Sequence, residues 1–452
     1  MGMQRIQRVT DNLAGAWQYF CALRRVRGKT VAEIEAFQFE QLRRLIRFAW
    51  EEIPFYRKYW EAHGFDPSKF RQLGDMSLIP CIDKEIVRAN CEAMVPESYD
   101  RKRLVKITTG GTTGMPLTFY TNRAKTNGRE LVHVARQFVC GYRRWLDNIV
   151  ILRGLRLDDK LLERGAYGRR YLGSLGRGLL MSSFHLTEQT YPYYIAQIRR
   201  EAPKFIVAYP SSLTLLCSLM KKHREAPFDG LRGAVCSSET VYDRQRTLVR
   251  EVLGVEIYSF YGHSEKTVSA IPDAEHRMLF DPAYGYTEFL DEDLNTVTTA
   301  GAMAQIVTTG FQNDYMPFIR YKTSDYVQVD DDPPCGFTHV AHHIIGRAQD
   351  FVYDRLWNRR TFTCSDDIFW ELEGISAYQY RQYEAGKLTL LLETTPSFDP
   401  DLAEHIRSES EKFFGDCEVE IKFVDKIERT SAGKFRYFVQ SINHQDRRED
   451  KS

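Results

Sequence analysis

Apolar positions in residues 29–50 recur as Ile34, Phe37, Leu42, Leu45 and Ile46, the spacing of one helix face. A second amphipathic stretch follows Asn122 and runs to about Phe138. Between the two, LVKITTGGTTGMPLTFY alternates and carries Thr, Val, Phe and Tyr, which predicts strand, Gly-rich loop, strand. Further along, NIVILRG (148–154), KFIVAYP (204–210), LRGAVCS (231–237) and VEIYSFYG (255–262) are short apolar runs closed by Gly, Pro or Ser. Helical patterns separate them, as at 189–200 and 211–223. Short buried strands alternating with helices predict an α/β chain with a mostly parallel sheet. From about 284 the pattern changes to YGYTEFLDED, AQIVTTG and IRYKTSDYVQVD, closely spaced strands with Asp, Asn and Gly at the turns, which predict a β-rich subdomain.

A further break follows DDPPCG and IIGR (344–347). The last segment reads strand (387–393), helix (400–414), strand (417–424), a compact α+β unit. The expected fold class is therefore α/β. A large N-terminal domain (1–347) has mixed, mostly parallel sheets flanked by helices and a β-rich subdomain. A small α+β C-terminal domain (348–441) and a frayed polar tail (442–452) follow. No internal repeat is visible.

The 452 residues are 43% hydrophobic and 27% charged, enough to bury a sizeable core and incompatible with a disordered or fibrous chain. Lys plus Arg is 62 and Asp plus Glu is 61, so no global field favours nucleic acid as a partner. The basic cluster of Arg24, Arg25, Arg27, Lys29, Arg43, Arg44 and Arg47 reads as a solvated helix face. Nine cysteines, an odd number without a CxxC, suit reduced thiols and a cytoplasmic protein. No run approaches 18 apolar residues, so no transmembrane segment is expected. The N-terminus has no apolar core of a secretory signal, and Ile6 breaks the myristoylation pattern that Gly2 begins.

Candidate chemistry starts at Thr108-Thr109-Gly110-Gly111-Thr112-Thr113-Gly114-Met115-Pro116. Glycines let a backbone approach a ligand closely, and threonines add hydroxyl donors, a combination that wraps phosphate oxygens. A plain Gly/Thr hairpin turn accounts for the composition equally well. The loop is not a Walker A motif, because GxxxxGK[ST] is absent.

TTGGTTGMP resembles the phosphate loop of the adenylate-forming superfamily, [ST][ST]G[ST]TGxP. Four more segments match in order. Tyr261-Gly262-His263-Ser264-Glu265 resembles YGxTE, and Arg320-Tyr321-Lys322-Thr323-Ser324-Asp325 resembles RYRTGD. Gly346-Arg347-Ala348-Gln349-Asp350 resembles GRxDD, and Arg429-Thr430-Ser431-Ala432-Gly433-Lys434-Phe435-Arg436 resembles RTxxGKxxR. IVTTGFQNDYMPFIRYKTSD and the opening FYRKYWEAHGFDP…LIPCIDKEIVRAN are similar to the phenylacetate–CoA ligase branch and its relatives in capsule biosynthesis clusters.

The resemblance implies carboxylate attack on the α-phosphorus of ATP, with 1–347 as the AMP-binding domain and 348–441 as a mobile small domain. Loop 108–114 would hold the β- and γ-phosphates, with Thr323 as a further phosphate contact. Glu265 would hold Mg²⁺, since a hard carboxylate suits that ion. Asp325 would accept both ribose hydroxyls as charge-assisted bonds. Arg347 would contact ribose or phosphate, and Tyr261 would stack on adenine. Gly262, His263 and Ser264 accompany Tyr261 in the nucleotide site, and Ser237, Ser238 and Glu239 form an adenine-side loop. Lys434 would neutralise charge developing between the α-phosphate and the acyl carboxylate. The small domain would then rotate about 348–350, withdraw Lys434 and admit the acceptor.

The implied substrates are ATP and a small-molecule carboxylate, with CoA as acceptor, and the resemblance leaves room for a homodimer. An amine or hydroxyl of a sugar or amino acid is the alternative acceptor, and a nucleotide-binding scaffold without turnover is a third reading. The departures behind that third reading are Ser324 for Gly and Gln349 at the hinge; Met115 for a frequent Lys or Arg and IERT for PRT are further departures from the family's motifs. Cys335 with His339, His342 and His343 matches no strong zinc pattern. The acyl pocket is expected near Tyr142, Phe184, His185, Tyr209 and Pro210.

Overall fold

The computed structural model describes residues 2–108, 117–137, 141–143, 145–155, 157, 161–162, 164–173, 175–347, 351–362, 368–369, 372, 374–430 and 435–442. Among them, the predicted α/β core is a six-stranded sheet. Its order is Gly168–Gly173, Gly176–Ser182, Asn148–Arg153, Phe205–Ala208, Gly233–Cys236, Ile257–Ser259. The last five strands are mutually parallel. The first is an antiparallel edge, a hairpin that apolar periodicity did not predict.

Alternation along the central strands sorts the core. Val150, Leu152, Ile206, Ala208, Ala234 and Cys236 face the helices Tyr191–Glu201, Pro210–Lys222 and Asp243–Leu253. Ile149, Ile151, Phe205, Val207 and Val235 face the other way. With both faces covered, these strands read as continuous apolar runs.

The β-rich subdomain is a seven-stranded antiparallel sheet in the order Gly285–Leu290, Met303–Gly310, Tyr321–Asp330, Val340–Arg347, Met278–Phe280, Ser269–Pro272, Tyr261–Gly262. Buried Arg320 locks the preceding chain to it. Its Nη1 donates to the carbonyls of Ser77 (2.9 Å) and Ile79 (2.7 Å), and its Nε lies 3.3 Å from Glu288 Oε1. Ile82 then bridges Tyr321 as an isolated parallel pair, which fixes where the next helix, Lys84–Asn90, begins.

The N-terminus, read from sequence only for its charge, forms the helix Gly2–Val26. It crosses the helix Arg123–Gln137 at backbone contact: a Cβ on Gly15 would sit 2.1 Å from the Lys125 carbonyl oxygen, and one on Gly128 1.9 Å from that of Asn12. The expected helix at 29–50 spans Val31–Glu52 and opens with a capping box of Thr30 and Glu33.

The C-terminal part carries a four-stranded sheet in the order Glu418–Val424, Lys387–Thr394, Ile375–Glu384, Phe438–Gln440, with the helix Leu402–Phe414. Its core of Phe362, Tyr380, Leu390, Ile406, Phe414 and Phe438 draws only on residues 352–438. Ile442, assigned by sequence to the tail, is buried with Ile345, Phe351 and Tyr353; residues 443–452 lie outside the described residues. No helix among the described residues is long and apolar enough to cross a membrane.

Candidate functional site

The carboxyl ends of the parallel strands open into a cleft of about 1220 Å³. Ligands in open α/β sheets bind at this edge. The antiparallel sheet contributes Tyr261–Lys266, Asp325 and Ile344–Arg347, and the C-terminal part contributes Thr430 and Phe435–Ser441.

Asp325 is anchored through both of its carboxylate oxygens. It pairs with Arg347 across the strands Tyr321–Asp330 and Val340–Arg347, with Arg347 Nε 3.4 Å from Asp325 Oδ1. On its other oxygen, Oδ2 accepts a hydrogen bond from the Tyr261 hydroxyl at 2.6 Å. Burial first, and then the charge of Asp325, push the Tyr261 phenol well above its usual range, so it remains a donor. The Tyr261 ring packs on Phe280 and edge-on to His263. Thr323 supports this arrangement from behind: its hydroxyl donates to the Ile306 carbonyl at 2.8 Å and accepts from the Asp325 amide at 3.1 Å. Thr323 is not among the residues that line the cleft.

Glu265 is buried but lines the cleft. Burial alone would raise its pKa; the His263 imidazole, 3.1 Å away through Nδ1, and the Lys84 ammonium outweigh it and hold the carboxyl at about 2. The His263 contact has ion-pair length, yet Nδ1 makes no well-formed hydrogen bond. The other ring nitrogen lies 3.2 Å from the Thr267 hydroxyl. Gly262 and Ser264 also line the cleft beside these groups. One ionised carboxylate on an open cleft fits a Mg²⁺ that takes its remaining oxygens from phosphates and water. No cluster of three or more His, Cys, Asp or Glu suited to an all-protein metal site occurs among the described residues.

Ser237, Ser238 and Glu239 follow the strand Gly233–Cys236 and line the cleft, Ser238 at φ +75°. Glu239 turns back to accept from the amide (3.0 Å) and hydroxyl (3.1 Å) of Ser211, at the start of the helix Pro210–Lys222. Thr108 pairs with Thr118 across the expected hairpin, their hydroxyls 3.2 Å apart. Thr109, Gly110, Gly111, Thr112, Thr113, Gly114, the hinge residues Gln349 and Asp350, and Lys434 lie outside the described residues. The acyl-pocket expectation is not met in the cleft lining, which includes none of Tyr142, Phe184, His185, Tyr209 and Pro210.

Among the lining groups that the sequence did not point to are Lys84, His133 and Arg153. Lys84, placed by the Ile82–Tyr321 bridge, has its pKa lowered by burial and by Arg347. His133 sits in a buried chain: its Nε2 is 2.8 Å from Ser269 Oγ and its Nδ1 3.0 Å from the Tyr19 hydroxyl, which also donates to Asp281. Arg153 ends a central strand, and its Nη2 donates to Ser237 Oγ at 2.7 Å. None of the three belongs to a contiguous motif, and only the tertiary fold reveals its neighbours.

Residues 362–441 match the CapK C-terminal domain family. Over 94% of this chain and 92% of its own length, CapK of Staphylococcus aureus is 21% identical. Phenylacetate-coenzyme A ligase of Thermus thermophilus is 27% identical over 72% of each chain. The chain is similar to the adenylate-forming ligases. Its relatives there are CapK and the phenylacetate–CoA ligases. The fold of this ligase is that of 2-hydroxyisobutyryl-CoA ligase in its postadenylation state, with a TM-score of 0.71 at 20% identity over 93% of this chain and 92% of that one. The same enzyme in its thioesterification state gives a TM-score of 0.58.

Proposed function

We propose that the ligase activates a small carboxylic acid as an acyl-adenylate, releasing pyrophosphate from ATP, and passes the acyl group to CoA as a thioester. The observation that carries this reading is the anchored Asp325 carboxylate, held by Tyr261 and Arg347 on the same cleft as ionised Glu265. A carboxylate has about four acceptor positions, and the two occupied ones leave room for both ribose hydroxyls. Glu265 would hold Mg²⁺ against the phosphates, where the ion supplies charge neutralisation. Loop 108–114 would cradle the β- and γ-phosphates, and Lys84 adds a cation on the same side of the cleft. Ser238 and Glu239 would border adenine. Thr323 would act by fixing Asp325.

Lys434, in RTSAGKFR, would stabilise the transition state of the first half-reaction only. Residues 348–441 would then turn about 348–350. The closer fit to the postadenylation arrangement than to the thioesterification one supports a closed starting state. The cysteine pattern supports a cytoplasmic site of action.

One observation favours a second reading. CapK spans 94% of this chain, against 72% for the Thermus ligase, and the matching family covers the C-terminal part that would set the acceptor. In that reading the acyl group goes to an amine or hydroxyl of a sugar or amino acid in cell-surface polysaccharide synthesis.

Carboxylate-dependent exchange of labelled pyrophosphate into ATP tests the activation step, and its absence across a broad acid panel would remove it. CoA-dependent thioester formation separates the two acceptors.

A further inference from the structure

Four neighbouring strands of the parallel sheet end at the cleft edge, and the residues at their ends form a row in sheet order: Arg153, Tyr209, Ser237, Phe260. Phe260 adjoins Tyr261 and the nucleotide-facing groups. The Arg153 backbone stands three strands away, roughly 14 Å at about 4.8 Å per strand, and its side chain lies over Tyr209 and reaches Ser237. The guanidinium thus faces the middle of the row, within one bound molecule's length of the nucleotide-facing groups.

Arg153 forms no close ion pair among the described residues, and the Glu239 charge acts on it only as a minor counterweight to its burial. Its Nη2 donates to the neutral Ser237 hydroxyl, and its guanidinium lies 5.5 Å from the Tyr209 ring centre. Its Nε is buried and has no acceptor. No carboxylate pairs with it among the described residues, and Glu239 directs its oxygens to Ser211. Taking a guanidinium out of water with one neutral partner is costly, and a ligand anion offsets that cost. Leu175 shares the cleft wall, giving an apolar surface beside the charge.

We propose that Arg153 recognises a second carboxylate at the far end of the acid that this site adenylates, making the preferred substrate a dicarboxylate. The proposal rests on the adenylation reading. Arg153 is here a specificity residue, remote from the reacting phosphorus. Its planar fork suits a carboxylate held by two parallel hydrogen bonds.

The test compares matched acids in pyrophosphate exchange: phenylacetate against 4-carboxyphenylacetate, and hexanoate against adipate. The wild type should favour the dicarboxylate of at least one pair. Arg153→Met should lose on the order of 10²-fold in kcat/KM for that dicarboxylate, the size expected when a buried charge pair is broken, with little change for its monoacid. Arg153→Lys should fall between, keeping the charge but not the fork. Circular dichroism establishes that the variants are folded. A wild-type preference for both monoacids overturns the proposal. So does an equal loss for both members of a pair, or a rise confined to the KM for ATP. If no acid supports exchange, calorimetric titration of the ATP-loaded protein with 4-carboxyphenylacetate and with adipate decides separately. Binding that Arg153→Met abolishes keeps the assignment and counts against adenylation alone. No binding, or equal binding by both proteins, overturns it.

Discussion

Asp325 and Arg347 are cross-strand partners, with Nε 3.4 Å from Oδ1, and Tyr261 holds the second carboxylate oxygen. A carboxylate fixed from two sides is pre-oriented for a diol. Asp325→Ala should weaken ATP binding by roughly 1.5–3 kcal/mol for each charged hydrogen bond lost. Calorimetry with ATP and 3′-deoxy-ATP checks the cause: the wild type should discriminate between them, and the variant should not. Equal affinity of both proteins for ATP would reduce Asp325 to a turn residue.

Ser324 occupies the position where the resembled motif has Gly, and its φ is +66°. The left-handed conformation has survived the loss of the residue that adopts it most easily. Ser324→Gly should therefore raise stability by about 1 kcal/mol, read as a higher urea midpoint with an unchanged slope, and leave turnover near wild type. A lower midpoint would mean that the serine side chain compensates for the strain.

Glu265 titrates at about 2 against an ordinary 4.5. A carboxyl with a depressed folded-state pKa contributes stability that is fully present above 4.5 and is lost as pH falls through 2. At 1.36 kcal/mol per unit the contribution is on the order of 3 kcal/mol. Glu265→Gln should flatten the acid limb of a stability–pH curve between about 4.5 and 2 and should weaken the Mg²⁺ dependence of pyrophosphate release. An unchanged Mg²⁺ dependence would sink the metal-holding role.

Lys434→Ala should reduce acyl-AMP formation by a factor on the order of 10²–10³, the size seen when one charge-stabilising donor is removed. Given pre-formed acyl-AMP, the same variant should still transfer the acyl group. Equal loss of both half-reactions in a folded protein would exclude a domain rotation that withdraws the lysine.

Much of the fold was legible because burial on both faces leaves an unmistakable mark: the runs at 148–154, 204–210, 231–237 and 255–262 each became a parallel strand. The hairpin 168–182 was not legible, because its edge strand, GRRYLG, is polar and glycine-rich. The N-terminal helix was missed because its docking depends on Gly15 and Gly128, residues that lower helix propensity and reveal their use only at the crossing. In the site, contiguous motifs placed Tyr261, Glu265, Asp325 and Arg347 on one cleft. Lys84, His133 and Arg153 reach it from three separate segments, and no local pattern links them.

The most direct measurement follows oxygen. A carboxylic acid labelled with ¹⁸O in its carboxylate, incubated with the ligase, ATP, Mg²⁺ and CoA, should deliver one label to the phosphate of AMP, because the attacking carboxylate oxygen stays on phosphorus when the acyl group leaves. Label in inorganic phosphate alongside ADP, or ATP consumption with no label on any phosphorus, would contradict carboxylate adenylation by this chain.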